Sequence, residues 1–108
     1  MKESFGEFVR KLRTEKQLTL TQLAAQLDMD SANLSKIETG KRDFDEKRLD
    51  KLANVFNLDL EELKMEYFSD FIAKKIYKID NSKDTLILAE EKVNYLRIKN
   101  IKQTNPHI

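Results

Sequence analysis

The chain has 108 residues, enough for one compact domain or for a small domain with an accessory element. Its 20 Lys and Arg residues oppose 19 Asp and Glu residues, so the formal net charge of +1 lacks the strongly basic balance that often marks a nucleic-acid binder. No apolar stretch is long enough to span a membrane, and the N-terminal residues do not resemble a signal peptide. We therefore expect a cytoplasmic protein without membrane contact.

The composition also argues against an enzyme. The chain has no Cys, so it can form neither a disulfide nor a thiolate metal site. Its single His, at position 107, lies in a polar tail, and its two Gly, at positions 6 and 40, do not form a phosphate-binding loop. We therefore expect no enzymatic activity, no cofactor, no metal and no small-molecule ligand.

The apolar spacing is helical almost throughout, and only 2 Gly and 1 Pro are available for turns, so we predict an all-α fold. The first helix is predicted over about residues 4–16, where Ser4 and Glu7 form a capping box. The second helix is predicted to begin at Thr19, because Thr19 and Gln22 repeat that pattern.

Later cap signals predict the remaining helices. The third lies between Asp30, its N-cap, and Gly40, which stands just past its end. The fourth is predicted to begin at Asp45 and the fifth at Asp59, each with the aspartate as N-cap. The long fifth helix is followed by a turn and by a last helix over about residues 84–99.

The second and third helices are so close in sequence that they must cross steeply. Only the three residues 28–30 separate them, which is typical of a helix-turn-helix. On the third helix Leu34 and Ile37 are predicted to face the core, which leaves a short polar surface outside. Such a surface fits a major groove about 12 Å wide, although a polar helix face is more often only solvated.

Two motifs carry a family resemblance. Residues 18–27 have the pattern Leu-Thr-x-x-x-Leu-Ala-x-x-Leu, and residues 34–42 read Leu-Ser-Lys-Ile-Glu-x-Gly-Lys-Arg. Over about residues 5–64 the sequence resembles the Cro/repressor-type (XRE) helix-turn-helix family of DNA-binding regulators. The resemblance implies a five-helix DNA-binding domain over residues 1–64, with the third helix as the recognition helix.

The resemblance also implies roles for the matched positions. The base-facing residues would be Ser31, Ala32, Asn33 and Lys36. The phosphate contacts would come from Thr19, Ser35, Lys41 and Arg42. A structural salt bridge would join Arg13 and Glu38. Thr19 caps its helix in either case and would contact phosphate in addition, whereas stabilisation of a helix C-terminus is an alternative for Lys41 and Arg42.

The sequence departs from the family pattern in and after the turn. Asp28 stands where the family usually has Gly, so we expect a positive φ that Asp tolerates better than most residues. Asp30 replaces the more usual Ser or Thr cap and puts a negative charge near DNA. Phe44 lies where Pro is common, and we expect it to pack on the core.

Residues 65–100 are predicted to form a helical hairpin with an apolar stripe too wide for one chain to cover. One short recognition helix reads few base pairs, whereas two copies read a palindrome. We therefore predict a homodimer through this hairpin, with residues 101–108 as a flexible tail. The alternative is a hairpin folded back on the monomer core. The predicted interface residues are Tyr67, Phe68, Phe71, Ile72, Ile76, Leu86, Val93 and Leu96.

These features predict a sequence-specific transcriptional regulator, a repressor or autoregulator, that binds a palindromic operator in double-stranded DNA as a homodimer. Its size resembles that of restriction–modification controllers and phage-type repressors. An alternative is the DNA-binding antitoxin of a toxin–antitoxin pair, whose hairpin would bind a partner protein. The near-neutral charge extends to the DNA-binding domain and predicts weak non-specific binding.

Overall fold

The computed structural model describes residues 3–104, and every regular element in that range is helical. The all-α prediction is therefore confirmed. The chain divides into two compact units, an N-terminal unit that ends at Phe71 and a C-terminal unit that begins at Ile72. Within the described range, no helix is both long enough and apolar enough to cross a membrane.

The first three helices begin and end at the residues that their caps favour. Helix α1 spans Phe5–Glu15, α2 spans Leu20–Gln26 and α3 spans Ser31–Glu38. Both predicted capping boxes are present. The Ser4 hydroxyl accepts a hydrogen bond from the Glu7 N–H at 3.2 Å, and the Glu7 carboxylate accepts one from the Ser4 N–H at 3.1 Å. The bond from the Ser4 backbone is the main reason why the pKa of Glu7 lies below its usual value.

The fourth helix does not begin at Asp45 as predicted. The Asp45 carboxylate accepts a hydrogen bond from the N–H of Lys47, only two residues later, at 3.1 Å. Glu46–Arg48 forms one turn of 3₁₀ helix after this cap. Helix α4 follows directly as Leu49–Phe56.

The fifth helix ends before the predicted turn, whereas the sixth extends further than its sequence signals predict. Helix α5 spans Leu60–Ile76, and the Asp59 carboxylate caps it by accepting a hydrogen bond from the Glu61 N–H at 2.9 Å. Helix α6 spans Ser82–Thr104, so it begins earlier and ends later than the predicted range of 84–99. The rest of the predicted tail, residues 105–108, lies outside the described residues.

Apolar side chains from α1 to α5 form the core of the N-terminal unit. Its largest fully buried side chains are Val9, Leu23, Leu27, Leu34, Leu49, Leu52 and Leu63. Burying one such side chain contributes about 1.5–3 kcal/mol, so these residues hold the helices together. Phe44 is also buried, and its ring lies edge-on to that of Phe5 with centroids 5.6 Å apart. The prediction that Phe44 packs on the core is confirmed.

Helix α1 approaches the end of α3 very closely at Gly6. A Cβ atom at this position would lie 2.2 Å from the carbonyl oxygen of Ile37. That separation is far shorter than any van der Waals contact, so only glycine fits here without a shift of the backbone of α1 or α3. Gly6 therefore sets how closely α1 and α3 pack.

The N-terminal unit continues past residue 64, where the sequence predicted the domain to end. The Tyr67 ring packs edge-on against Phe5 with centroids 5.2 Å apart. Its hydroxyl donates a hydrogen bond to the Phe44 carbonyl oxygen at 2.7 Å. These contacts attach a further turn of α5 to the core, and the compact unit ends at Phe71.

Candidate nucleic-acid interface

The turn between α2 and α3 is tight and contains one residue in the left-handed region. Asp28 has φ of 55°, as the sequence led us to expect. The N–H of Met29 donates to the Ala24 carbonyl oxygen at 3.0 Å, which closes the end of α2. The Asp28 carboxylate pairs with the Lys51 ammonium, and this hydrogen bond lowers the pKa of Asp28 below its usual value.

Arg48 clamps the same turn from the start of α4. Its Nε donates to the Leu27 carbonyl oxygen at 2.9 Å, and one Nη donates to the Asp28 carbonyl oxygen at 3.0 Å. The other Nη pairs with the Asp45 carboxylate at 2.9 Å. A cation at the carboxyl end of α2 also interacts favourably with the helix dipole. Arg48 thus fixes the end of α2 and, through the turn, the direction of α3.

Helix α3 is capped at both ends. The Asp30 carboxylate accepts a hydrogen bond from the Asn33 N–H at 2.7 Å. At the other end Gly40 has φ of 80°, and its N–H donates to the Ile37 carbonyl oxygen at 3.1 Å. The Lys41 N–H donates to the Lys36 carbonyl oxygen at 2.8 Å, which completes a Schellman motif. Both caps follow the sequence prediction.

The outward face of α3 is short and polar. Leu34 and Ile37 are buried and hold the helix on the core. Ala32 and Lys36 are exposed, and Asn33 is partly exposed. Ser31 and Ser35 are also partly exposed. The structure thus places the four residues predicted to face bases on the solvent side of this helix.

Three of the four residues predicted to contact phosphate lie at the two ends of this region, and the fourth, Ser35, lies within α3. The Thr19 hydroxyl accepts a hydrogen bond from the Gln22 N–H at 3.1 Å, so it caps α2. Ser35 lies on α3, where its carbonyl oxygen accepts a hydrogen bond from the Thr39 hydroxyl at 2.9 Å. Lys41 and Arg42 are exposed beyond the end of α3. Their contacts with phosphate remain predictions.

Arg42 and Asn33 contact each other directly. One Nη of the Arg42 guanidinium donates to Oδ1 of Asn33 at 2.6 Å. The sequence assigned these residues to different tasks, one to phosphate and the other to a base, and gave no signal that they meet.

Arg13 and Glu38 form the ion pair that the resemblance implied. The Arg13 Nε and one Nη donate to the two carboxylate oxygens of Glu38 at 2.8 and 2.9 Å. The other Nη donates to the Leu18 carbonyl oxygen at 2.9 Å. The Glu38 hydrogen bond raises the pKa of Arg13 above its usual value. This pair joins α1 to the end of α3 and satisfies the buried Glu38 carboxylate.

The residues predicted to form a dimer interface have different surroundings. In the N-terminal unit Tyr67 packs on the core, whereas Phe68 and Phe71 are 39% and 44% exposed. In the C-terminal unit Ile76 is partly buried. The remaining predicted residues of this unit, Ile72, Leu86, Val93 and Leu96, are all exposed.

The sequence did not single out three residues that shape this interface. Gly6, Arg48 and Lys51 act on residues that are distant along the chain. The spacing of Arg48 after Asp45 is a weak signal for their local pair, but nothing local reveals the bonds to the turn. Among the described residues, no group of His, Cys, Asp or Glu could hold a metal ion.

Known proteins share the sequence pattern of this region. A family model described as helix-turn-helix matches residues 9–63. The chain is 39% identical over 71 residues to the control protein C.MunI from a Mycoplasma species, covering 65% of this chain and 90% of that protein. It is 52% identical over 40 residues to the HTH-type transcriptional repressor RghR of Bacillus subtilis (strain 168), covering 37% of this chain and only 30% of that protein.

A solved structure supports the fold. The clp gene regulator ClgR from Corynebacterium glutamicum matches with a TM-score of 0.50 over 95% of this chain and 92% of its own, at 16% identity. Together with the matched residues 9–63, these findings confirm the resemblance on which the sequence prediction depended. The chain belongs to the Cro/repressor-type helix-turn-helix family.

Proposed function

We propose that this protein is a sequence-specific transcriptional regulator that binds a palindromic operator in double-stranded DNA as a homodimer. The observation that carries the proposal is the polar outer face of α3, which is presented by a tight turn and capped at both ends. Relatives named as a control protein and as a transcriptional repressor support it. The match covers most of the length of C.MunI, so this relative supports a controller role for the helix-turn-helix domain as a whole.

In this function α3 enters the major groove and its side chains read base edges. Asn33 can pair with adenine through N6 and N7, and Lys36 can donate to guanine O6 and N7. Ala32 can contact the methyl group of thymine. Each good pair contributes about 1–3 kcal/mol of discrimination against the wrong base.

Phosphate contacts orient the domain on DNA. Thr19 lies at the start of α2, and Lys41 and Arg42 follow the end of α3, so they can contact the backbone on both sides of the groove. The domain is close to neutral, because acidic residues follow these cations closely in the sequence. Few phosphate contacts give weak non-specific binding and a small dependence of affinity on salt.

A dimer would present two copies of α3 to two half-sites about 34 Å apart. The apolar residues left exposed on α6 support this part of the proposal. Leu86, Val93 and Leu96 are 45%, 43% and 59% exposed, and exposed large apolar side chains grouped on one helix often mark an interface.

Selection from a random DNA library tests the proposed function. The wild-type protein should enrich an inverted repeat, and Lys36→Ala should relax the preference at one position in each half-site. Lys47→Ala removes the same charge from a residue outside the predicted contact set, and it should select the same repeat as wild type. If the wild-type protein enriches no sequence, the proposal is wrong.

A further inference from the structure

We propose that Arg42 is a positioning residue for Asn33, and that it determines base specificity by holding the Asn33 carboxamide in one orientation. The inference rests on the proposed DNA-binding function and goes beyond it, since it assigns Arg42 a role in sequence readout besides its charge. The observation behind it is the 2.6 Å hydrogen bond from Arg42 Nη to Asn33 Oδ1.

The backbone after α3 brings Arg42 to the right place. Gly40, with φ of 80°, turns the chain back toward the helix. The N–H groups of Lys41 and Arg42 then both donate to the Lys36 carbonyl oxygen, at 2.8 and 3.3 Å. Residues three apart share one helix face, so this carbonyl lies one turn from Asn33. The anchored backbone therefore keeps the guanidinium within reach of Asn33.

The chemistry of the pair fixes which way the amide points. A guanidinium has five N–H donors and no acceptor, so its partner atom on Asn33 must be the carbonyl oxygen. Rotating the amide by half a turn would set two donors against each other. An exposed Asn without this partner would sample both orientations and present either a donor or an acceptor at the same place.

The fixed orientation remains compatible with base readout. The Asn33 oxygen has a second lone pair that can accept from adenine N6, while the amide nitrogen donates to N7. Holding the side chain before DNA arrives also reduces the conformational entropy lost on binding. Arg42 keeps four further N–H donors, so it can contact a phosphate at the same time.

Affinities of Arg42→Ala and Lys41→Ala for the selected operator and its single-base variants test this inference. The two substitutions remove one positive charge each from neighbouring exposed positions, so they match in their effect on phosphate attraction. Both should weaken binding to all sites and reduce the salt dependence. Only Arg42→Ala should also lose preference at the base position that Asn33→Ala affects, by about fivefold or more.

The double variant Asn33→Ala/Arg42→Ala supplies the control for coupling. Its base preference should equal that of Asn33→Ala alone, because the carboxamide that Arg42 would position is absent from both variants. Salt is lowered until each variant binds measurably, so a preference profile is obtained in every case.

Two results would overturn the inference. If Arg42→Ala weakens every site alike, as Lys41→Ala does, Arg42 is a phosphate contact only. If it loses preference at a different base position, Arg42 reads that base itself. Both results leave the proposed function intact, whereas failure of the wild-type protein to select any site contradicts the function.

Discussion

At the scale of single residues, Gly6 shows how a long-range contact can decide what a helix position tolerates. Within an ordinary helix, Ala is more favourable than Gly by roughly 0.5–1 kcal/mol. Here the new Cβ would meet a backbone oxygen, the Ile37 carbonyl, which cannot rotate away as a flexible side chain would. The steric cost therefore exceeds the gain in helix propensity.

We predict that Gly6→Ala lowers the free energy of unfolding by about 2–3 kcal/mol, in the range of other overpacked sites. Urea unfolding followed by far-ultraviolet circular dichroism measures the change. Lys11→Ala, on the exposed side of the same helix, should stay within about 0.5 kcal/mol of wild type. An unchanged midpoint for Gly6→Ala would mean that α1 and α3 pack less closely than described.

Asp28 links local conformation to acid stability. Its carboxylate pairs with Lys51, so its folded pKa is lower than its unfolded value of about 3.9. A group with a depressed folded pKa stabilises the protein above the unfolded pKa, and this contribution is lost as the pH falls through the folded value.

We therefore predict that, below about pH 4, the free energy of unfolding of Asp28→Asn falls less steeply with decreasing pH than that of the wild-type protein. Asn also tolerates a positive φ, so the turn itself should be retained. Thermal unfolding at a series of pH values measures the slope. Lys51→Ala should flatten it in the same way, and the double variant should show no further change. Equal slopes for wild type and Asp28→Asn would contradict the prediction.

At the scale of elements, the structure divides into features that local sequence predicts and features that it does not. The Ser4 and Thr19 capping boxes and the Gly40 cap depend on neighbouring residues, so spacing alone predicts them. The 3₁₀ turn after Asp45 was missed, because an Asp cap is compatible with both a helix and a tighter turn. Long-range contacts leave no periodic trace in the sequence.

Arg48 is an example of such a contact in the candidate site. The helix-turn-helix pattern located α2, α3 and the exposed face, and the family pattern paired Arg13 with Glu38. Neither pattern indicated that a residue before α4 donates to the carbonyls of Leu27 and Asp28. The Asn33–Arg42 bond escaped prediction for the same reason, since a loop must fold back to form it.

We predict that Arg48→Lys destabilises the N-terminal unit by about 1–2 kcal/mol, although it keeps the positive charge. A Lys ammonium is a compact point charge and lacks the planar fork that bonds two carbonyls and a carboxylate at once. Hydrogen bonds to charged groups contribute roughly 1.5–3 kcal/mol each, and Lys can replace part of this. Urea unfolding measures the loss. Lys47→Arg, a charge-conserving change at the adjacent exposed residue, should have no effect beyond about 0.5 kcal/mol.

At the scale of the whole molecule, the exposed apolar side chains of the C-terminal unit bear on the proposed homodimer. Val93 is 43% exposed and Leu96 is 59% exposed on α6. A second copy that covered these side chains would remove them from water and would contribute about 25 cal/mol per Å² of buried apolar surface.

We predict that Val93→Asp shifts the protein from dimer to monomer at micromolar concentration. A carboxylate placed in an apolar interface loses its hydration and finds no partner there. Sedimentation velocity or mass photometry measures the mass. Asn94→Asp adds the same charge at the next residue, where the native side chain is already polar, and should leave the mass unchanged. A wild-type protein that is monomeric at every concentration would rule out the homodimer.

The contacts of Tyr67 have a practical consequence for spectroscopy. The chain has no Trp and three Tyr, so Tyr dominates its ultraviolet absorption and fluorescence. Tyr67 lies in the N-terminal unit with its hydroxyl bonded to Phe44, while Tyr77 and Tyr95 lie in the C-terminal unit and are 70% and 62% exposed. Each unit thus carries its own intrinsic probe. A Tyr67→Phe protein would report on the C-terminal unit alone, and its difference from wild type would report on the N-terminal unit.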